Sequence, residues 1–341
     1  LGSGRHYRFR FNPISYRNFA MLRLFSSGLM SFALLISTAS AQQTETVLPV
    51  QDIIDNTVWE VHLQVERLFA SPLGEIINDI VRKEAPDKEL HLDAMVKALG
   101  FDPRTDVGEV IVFGDDFEHT SATALVNIGP SRGNIEGWLL AAPGYKSELL
   151  DDETIMHSFL VEDKELPRMW CAIPFSKADK SHILVASFDR DKTTSLAQHF
   201  ALQGVGPLGK RLQDNTFLTV SVNDLSKAPF EIDENEPGSA IVKTIQSLTL
   251  EAVADTEQLT AKGEVTTDSP ARAQQLNQLI VGMKAMVQLA LPEKDPNAKE
   301  FAELLNNLNV EYAEGSENLS ANFSIGYDVI QQMIEAKHGH H

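Results

Sequence analysis

The sequence predicts an α+β fold built from two related modules of antiparallel strands with packed helices. Short segments of alternating apolar and polar residues come in pairs, as the strands of hairpins do. Helical segments with recognisable start and stop residues follow these pairs. The order strand–strand–helix–strand–strand–helix is found twice along the chain, which predicts a ββαββα-like repeat. Hairpins that place their helices on one side of a sheet are typical of the α+β class.

The first module is expected over residues 50–225. Alternation over 57–68 predicts a half-buried strand, on which His62 belongs to the polar, exposed face. One helix is predicted to begin at Pro72, and a second to run from Leu90 to Leu99 and stop at Gly100. The remaining expected elements are strands at 108–113, 121–128, 158–161, 169–175 and 182–188, and helices at 135–142 and from Asp189 or Asp191 to Leu202.

An acidic, turn-rich linker at 226–239 separates the first module from the second, which is expected over 240–337. Asp268-Ser269-Pro270 predicts a helix start, because a capping side chain precedes a proline whose missing N–H is tolerated in the first turn. The other expected elements are strands at 247–254, 259–266, 309–313 and 319–325, and helices at 296–308 and 326–336.

Residues 1–41 are interpreted as an upstream extension followed by a signal peptide that starts near Met21. A basic start precedes the apolar run Leu29–Ile36, and a small-residue cleavage signal ends at Ala41. The apolar run is shorter than the roughly 20 residues that a transmembrane helix needs. The mature protein is therefore expected in the periplasm or outside the cell, with no membrane span after cleavage.

Charge restricts the class of partner. The chain has 29 basic and 48 acidic residues, a formal net charge of −19. Removal of residues 1–41, with five arginines and no acid, leaves 24 basic and 48 acidic residues, a net charge of −24. Such a chain repels nucleic acid phosphates and favours a cationic or protein partner, or divalent ions. Cys171 is the single cysteine, so no internal disulfide is expected, and its apolar surroundings predict a buried thiol.

The segment GDDFEHT (114–120) concentrates possible metal ligands between two predicted strands. A hairpin loop explains its glycine and aspartates by backbone preference alone. A divalent-cation site is the alternative, although the spacing matches no known cation loop and no helical ligand pair supports it. We favour the loop and expect no cofactor. The candidate metal ligands are Asp115, Asp116, Glu118 and His119.

The segment GPSRG (129–133) matches the G-x-S-x-G pattern of a nucleophile elbow, between a predicted strand and a predicted helix. In that interpretation Ser131 is the nucleophile of a serine hydrolase, with His182 and Asp152 as its partners. Three observations oppose it: the preceding strand alternates, no series of β-α-β units comes before it, and no HGGG-like oxyanion segment lies upstream. A binding or structural role is therefore favoured over an enzyme; the hydrolase is the first alternative and an acidic cation-binding protein the second.

Four segments together carry a resemblance to a family. They are TVWEVHLQVERLFASPLGEIINDI, LGFDPRTDVGEVIVFGDD, ATALVNIG and LTLEAVADTEQLTAKGEVTTDSPARAQQLNQLIVGM. With the signal peptide, they resemble secreted proteins of unknown function from planctomycete-like bacteria, over nearly all of the mature chain. The shared motifs are structural, so the resemblance implies export and implies no activity or site residue.

Overall fold

The computed structural model describes residues 57–100, 102–128, 132–151, 154–161, 166–175, 182–203, 215–228, 243–290 and 306–338. Within these ranges the chain forms helices and one large antiparallel sheet of twelve strands. The strands are β1 (Trp59–Gln64), β2 (Glu109–Gly114), β3 (Thr123–Asn127), β4 (Lys146–Leu149), β5 (Ile155–Phe159), β6 (Met169–Ala172), β7 (Ile183–Ser187), β8 (Thr216–Val222), β9 (Ile245–Ala254), β10 (Gln258–Thr267), β11 (Asn309–Tyr312) and β12 (Asn318–Gly326).

The described helices begin and end largely where local signals predict. Ser71 precedes one helix and accepts a hydrogen bond from the N–H of Gly74, and Gly100 ends the next helix with a left-handed φ of 69°. None of these helices has the length and apolar character needed to cross a bilayer. They are α1 (Val65–Ala70), α2 (Pro72–Glu84), α3 (Pro86–Leu99), α4 (Pro103–Asp106), α5 (Arg132–Leu140), α6 (Arg190–Gln203), α7 (Pro270–Ala290) and α8 (Tyr327–His338).

The strands lie in the order β11-β12-β10-β9-β8-β1-β2-β3-β7-β6-β5-β4. β8 pairs with β9, so the sheet continues from the first predicted module into the second. The second module has the expected order β9, β10, α7, β11, β12, α8, whereas the first contains further strands, and the repeat is not confirmed. The division into two modules stays a prediction, and the linker from residue 229 onward lies outside the described residues.

Cross-strand register assigns the strand residues to two faces, because directly opposed residues point to the same side. One face, which we call the apolar face, is apolar along most of the sheet and carries His157 and Ser147 near the β4 edge. In β8 to β10 the register pairs Val220 with Leu250 and Leu250 with Gly263 on this face. α1 and α5 cover part of it, and Val65, Ile135 and Leu139 pack there with buried residues of β3, β6 and β7.

The opposite face, which we call the second face, differs between the two halves of the sheet. In β2, β3 and β7 it is apolar and covered by α6, whose Leu196 and Phe200 pack on Ile111, Leu125 and Val185. Both faces are thus covered there, and β7 is buried at every position. In β9, β10 and β12 the second face carries polar residues that are exposed or half-buried.

Several predicted boundaries need correction. The strand predicted over 57–68 ends at Gln64, and α1 follows at once. Val65, Leu68 and Phe69 recur at helical spacing, so the last residues of the predicted strand follow a helical pattern and not a strand pattern. β4 and β8 were not expected from the sequence; β4 is exposed at every position and so lacks apolar alternation. Most of the helix predicted at 296–308 lies outside the described residues.

Candidate functional site

The candidate catalytic residues are only partly described. Ser131 and Asp152 lie outside the described residues. His182 precedes β7, where its backbone carbonyl accepts a hydrogen bond from Ile128 N–H at 3.3 Å, and its ring lies 5.3 Å from the Phe175 ring. β3, which leads toward Ser131, is antiparallel to both of its neighbours. The hydrolase therefore stays a prediction.

The acidic segment between β2 and β3 is held by local hydrogen bonds and by contacts with α6 and Trp59. Asp115 forms an ion pair with Lys192 of α6, at 2.5 Å between Oδ2 and Nζ. The Asp116 carboxylate accepts the N–H of Glu118 at 2.7 Å, and the Asp116 carbonyl accepts the indole N–H of Trp59 at 2.6 Å. His119 begins a 3-10 turn. Across the described ranges, no three His, Cys, Asp or Glu side chains are grouped so that they could hold a metal ion.

Cys171 lies on β6 and is 1% exposed, as its apolar surroundings predict. Burial raises the pKa of the thiol, so the reactive thiolate is scarce at neutral pH. The cross-strand partner of Cys171 is His157, whose Nδ1 lies 3.0 Å from the hydroxyl of Tyr145. Both His157 and Cys171 are buried on the apolar face, which favours a role in packing.

A buried polar cluster lies at the centre of the sheet, and it corrects the prediction for His62. Far from being exposed, His62 is 5% exposed, on an interior strand next to the half of the second face that α6 covers. Its Nε2 is hydrogen-bonded to Oε1 of Glu109 on β2. The side-chain amide of Gln64 donates to the same Glu109 oxygen at 2.7 Å. We call His62, Gln64 and Glu109 the buried cluster.

Glu109 is 9% exposed and lies opposite Gln64 in the register of β1 and β2. An ion taken out of water loses several kcal/mol of solvation free energy, and close polar partners must offset that loss. The donors from His62 and Gln64 supply those partners. The sequence carries a signal for this arrangement. In GEVIVF, Glu109, Ile111 and Phe113 are every second residue of the strand, so Glu109 points to the side on which Ile111 and Phe113 are buried.

The buried cluster is the inner end of a row of polar side chains that runs across the second face toward solvent. The register places His62 opposite Thr219 of β8, Thr219 opposite Glu251 of β9, and Glu251 opposite Lys262 of β10. Exposure rises along this polar row: Thr219 is 9% exposed, Glu251 is half-buried and Lys262 is exposed. The Thr219 hydroxyl oxygen is inaccessible to solvent and has no hydrogen-bond partner.

The outer end of the row belongs to a broad polar surface on the second face of β9, β10 and β12, which we call the polar face. Its charged residues are Glu251, Lys262 and Glu264, so carboxylates outnumber ammonium groups. Hydroxyl pairs connect its strands, as between Thr260 and Ser324, whose oxygens lie 3.0 Å apart. Its neutral polar members include Thr249, Thr260, Thr266, Ser320, Asn322 and Ser324, and Val253 is an apolar member.

A separate shallow cleft of about 400 Å³ lies where β8 ends and β9 begins. Asp224, Lys243 and Asp268 are among its lining residues. The Asp224 carboxylate is already engaged by Ser226, whose backbone N–H lies 3.1 Å from it, and by Lys227. The cleft therefore adds acidic character to this end of the sheet and shows no set of converging ligand groups.

The sequence matches no protein-family model and none of the curated proteins. Solved structures to which this chain is similar include crystal forms III, IV and I of TP0453, at 9%, 8% and 8% sequence identity. Their TM-scores are 0.46, 0.44 and 0.40. The matched regions cover 85%, 82% and 85% of this chain, and 99%, 92% and 98% of the three TP0453 chains. The likeness extends over most of both chains and identifies no site residue.

Proposed function

We propose that the protein is an exported binding protein that recognises a cationic protein surface through its polar face. The observation that carries this proposal is the excess of carboxylates on the open half of the second face, in a chain of strongly negative net charge. Export is supported by the signal-peptide pattern and by the resemblance to secreted proteins. Binding is favoured over catalysis because β3, the strand before the G-x-S-x-G pattern, is antiparallel to both of its neighbours, unlike the strand that precedes a nucleophile elbow.

The size of the polar face supports a weak, reversible complex. β9 and β10 each have ten residues and β12 has nine, which makes them about 30 Å long at roughly 3.3 Å per residue. With neighbouring strands about 4.8 Å apart, β9, β10 and β12 present roughly 450 Å². Stable complexes bury about 800 Å² on each partner, and transient ones bury less. The polar face is thus of the size expected for a transient interface.

Electrostatics supports a cationic partner. Glu251 and Glu264 flank Lys262 on the polar face, and the whole mature chain adds a negative field around them. Such a field attracts oppositely charged partners and raises the association rate. Because salt screens exposed charges beyond about 8 Å at physiological ionic strength, binding should weaken as salt is added.

The test is the affinity of the mature protein for a fluorescent decalysine peptide, measured by anisotropy at low salt. Glu251→Lys with Glu264→Lys should weaken binding about tenfold or more, since two attractions become repulsions at the contact. The matched control is Glu75→Lys with Asp87→Lys, two exposed acids of α2 and α3 with the same change in net charge. The proposal is wrong if both double variants lose affinity equally.

A further inference from the structure

We propose that two copies of this chain pair antiparallel through β4, so that their two sheets continue into one another. This proposal is independent of the function proposed above, because β4 and the polar face lie in opposite halves of the sheet. β4 is the last strand of the sheet, is paired with β5 on one side, and is exposed at every position. An edge strand of this kind presents backbone N–H and C=O groups that can bond to another strand.

The backbone groups of β4 that point away from the sheet follow from its pairing with β5. Leu150, which directly follows β4, donates its N–H to the Thr154 carbonyl at 2.9 Å, in line with the β4–β5 register. Hydrogen-bonded and non-hydrogen-bonded pairs alternate along an antiparallel ladder. Even-numbered residues of β4 therefore bond to β5, and odd-numbered residues point outward. The outward groups are the N–H and C=O of Ser147 and Leu149 and the C=O of Tyr145, whose N–H bonds to the Ala142 carbonyl.

One register of β4 with itself joins these outward groups and also pairs opposite charges. A two-fold dimer uses the same patch on both subunits, so the axis can pass through Ser147. Lys146 then lies opposite Glu148 of the second copy, and Glu148 lies opposite Lys146 of the second copy. An axis at Lys146 or at Glu148 would set like charges directly opposite, which is destabilising. An axis between two residues would face outward groups with groups already bonded to β5.

The side chains of β4 fit this register. Lys146 and Glu148 of the second copy would form a non-hydrogen-bonded pair, in which Cα atoms are about 4.5 Å apart and side chains are close. The contacts of Glu148 with Arg190 of its own chain, at 2.8 Å and 2.7 Å, both use Oε1, so Oε2 is left for the lysine. Leu149 is 70% exposed and would lie opposite Tyr145 of the second copy, where the contact removes apolar surface from water.

The other edge of the sheet lacks this complementarity. β11 has the sequence NVEY, in which Glu311 is the only charged residue. Self-pairing of β11 would therefore gain no ion pair and would bring two carboxylates into one interface. Charged residues commonly protect an edge strand from pairing. The charges of β4 differ from such protection because Lys146 and Glu148 are complementary to their own copies.

The dimer is expected to be weak. The paired segment, residues 145–149, is about 17 Å long at roughly 3.3 Å per residue. A contact along one strand of that length buries far less than the roughly 800 Å² per partner of a stable complex. The net negative charge of the chain also opposes self-association, although salt at physiological ionic strength screens charges beyond about 8 Å. We therefore expect a dissociation constant on the order of 100 µM.

Sedimentation equilibrium of the mature protein at about 10–500 µM, in roughly 0.15 M salt, should show a reversible monomer–dimer equilibrium. Lys146→Glu and Glu148→Lys should each weaken dimerisation about tenfold or more, because each sets like charges opposite each other twice. An equimolar mixture of these two variants should regain wild-type dimerisation, because the mixed dimer again pairs opposite charges. The matched controls Lys83→Glu and Glu75→Lys, at exposed positions of α2, should dimerise as the wild type does.

Cross-linking tests the register. Ser147→Cys should form a disulfide-linked dimer under mild oxidation, because hydrogen-bonded pairs have Cα atoms about 5.5 Å apart, within the range of a disulfide. Leu149→Cys is equally exposed but lies far from its own copy in this register, and it should link at least about tenfold more slowly. A wild-type protein that stays monomeric, a variant mixture that is not rescued, or equal linking of the two cysteine variants would each overturn the proposal.

Discussion

Glu109 and His62 lie on adjacent strands at the centre of the sheet, and their side chains are hydrogen-bonded to each other in a buried position. This contact joins residues 47 positions apart in sequence. It lies at the boundary between the half of the second face that α6 covers and the polar half.

Replacement of Glu109 by alanine should lower the free energy of unfolding by about 2–4 kcal/mol. The change removes the acceptor that the buried His62 and the half-buried Gln64 share. Urea denaturation monitored by circular dichroism measures the loss. Glu264→Ala, at an exposed position of β10, should change stability by less than about 0.5 kcal/mol. Equal effects at the two positions would show that the cluster is not a structural contact.

Replacement of Gly114 by alanine should destabilise the protein by about 1–3 kcal/mol. A methyl group there would lie 2.7 Å from the indole of Trp59, which is itself fixed by its hydrogen bond to Asp116. Gly108→Ala is a matched control, because a methyl group at Gly108 meets nothing within 4 Å. Thermal or urea unfolding compares the two variants, and equal stability would contradict the packing of Trp59 on Gly114.

Asp102→Asn should cost about 0.5–1 kcal/mol near neutral pH and progressively less as the pH falls. Burial opposes ionisation of Asp102, but hydrogen bonds and attraction from Arg104 outweigh it, so the carboxyl pKa is lowered. Because the pKa is lowered, the ionised Asp102 contributes its full stabilisation above the unfolded-state pKa of about 3.9. That stabilisation is lost as the pH falls through the folded-state pKa. Unfolding curves between pH 7 and pH 2 test this; a constant difference would contradict it.

Cys171 in the native protein should react with a thiol reagent at least about a hundredfold more slowly than an exposed cysteine. The thiol is buried, and burial raises its pKa, so both access and thiolate are lacking. Absorbance with Ellman's reagent should show almost no reaction in buffer and one thiol per chain in denaturant. Rapid modification of the native protein would contradict the packing of β6 on the apolar face.

Much of the fold is visible in local sequence signals. Asp268-Ser269-Pro270 predicts a helix start, and α7 begins at Pro270. Gly100 predicts a helix end, and it directly follows α3. These signals work because caps and turns depend on residues within one helical turn. The end of β1 is not marked by such a signal, because strand alternation passes directly into a helical pattern at Val65.

The buried cluster could not be found in the same way. Alternation shows that His62 and Gln64 share a face, but whether that face is wet depends on the strands that pair with β1 and on what covers them. That information lies in the sheet order, which joins residues far apart in sequence. The acidic loop at Asp115 was easier to interpret, since its glycine and aspartates are typical of a turn and its hydrogen bonds are mostly local.

The most direct test of recognition through the polar face is the location of a bound cationic peptide on the mature protein. Amide NMR shifts during titration with decalysine should be largest in β9, β10 and β12, around Glu251, Lys262 and Glu264, and should disappear at high salt. Shifts concentrated on the acidic positions of α2 and α3, or spread evenly over all exposed carboxylates, would contradict it.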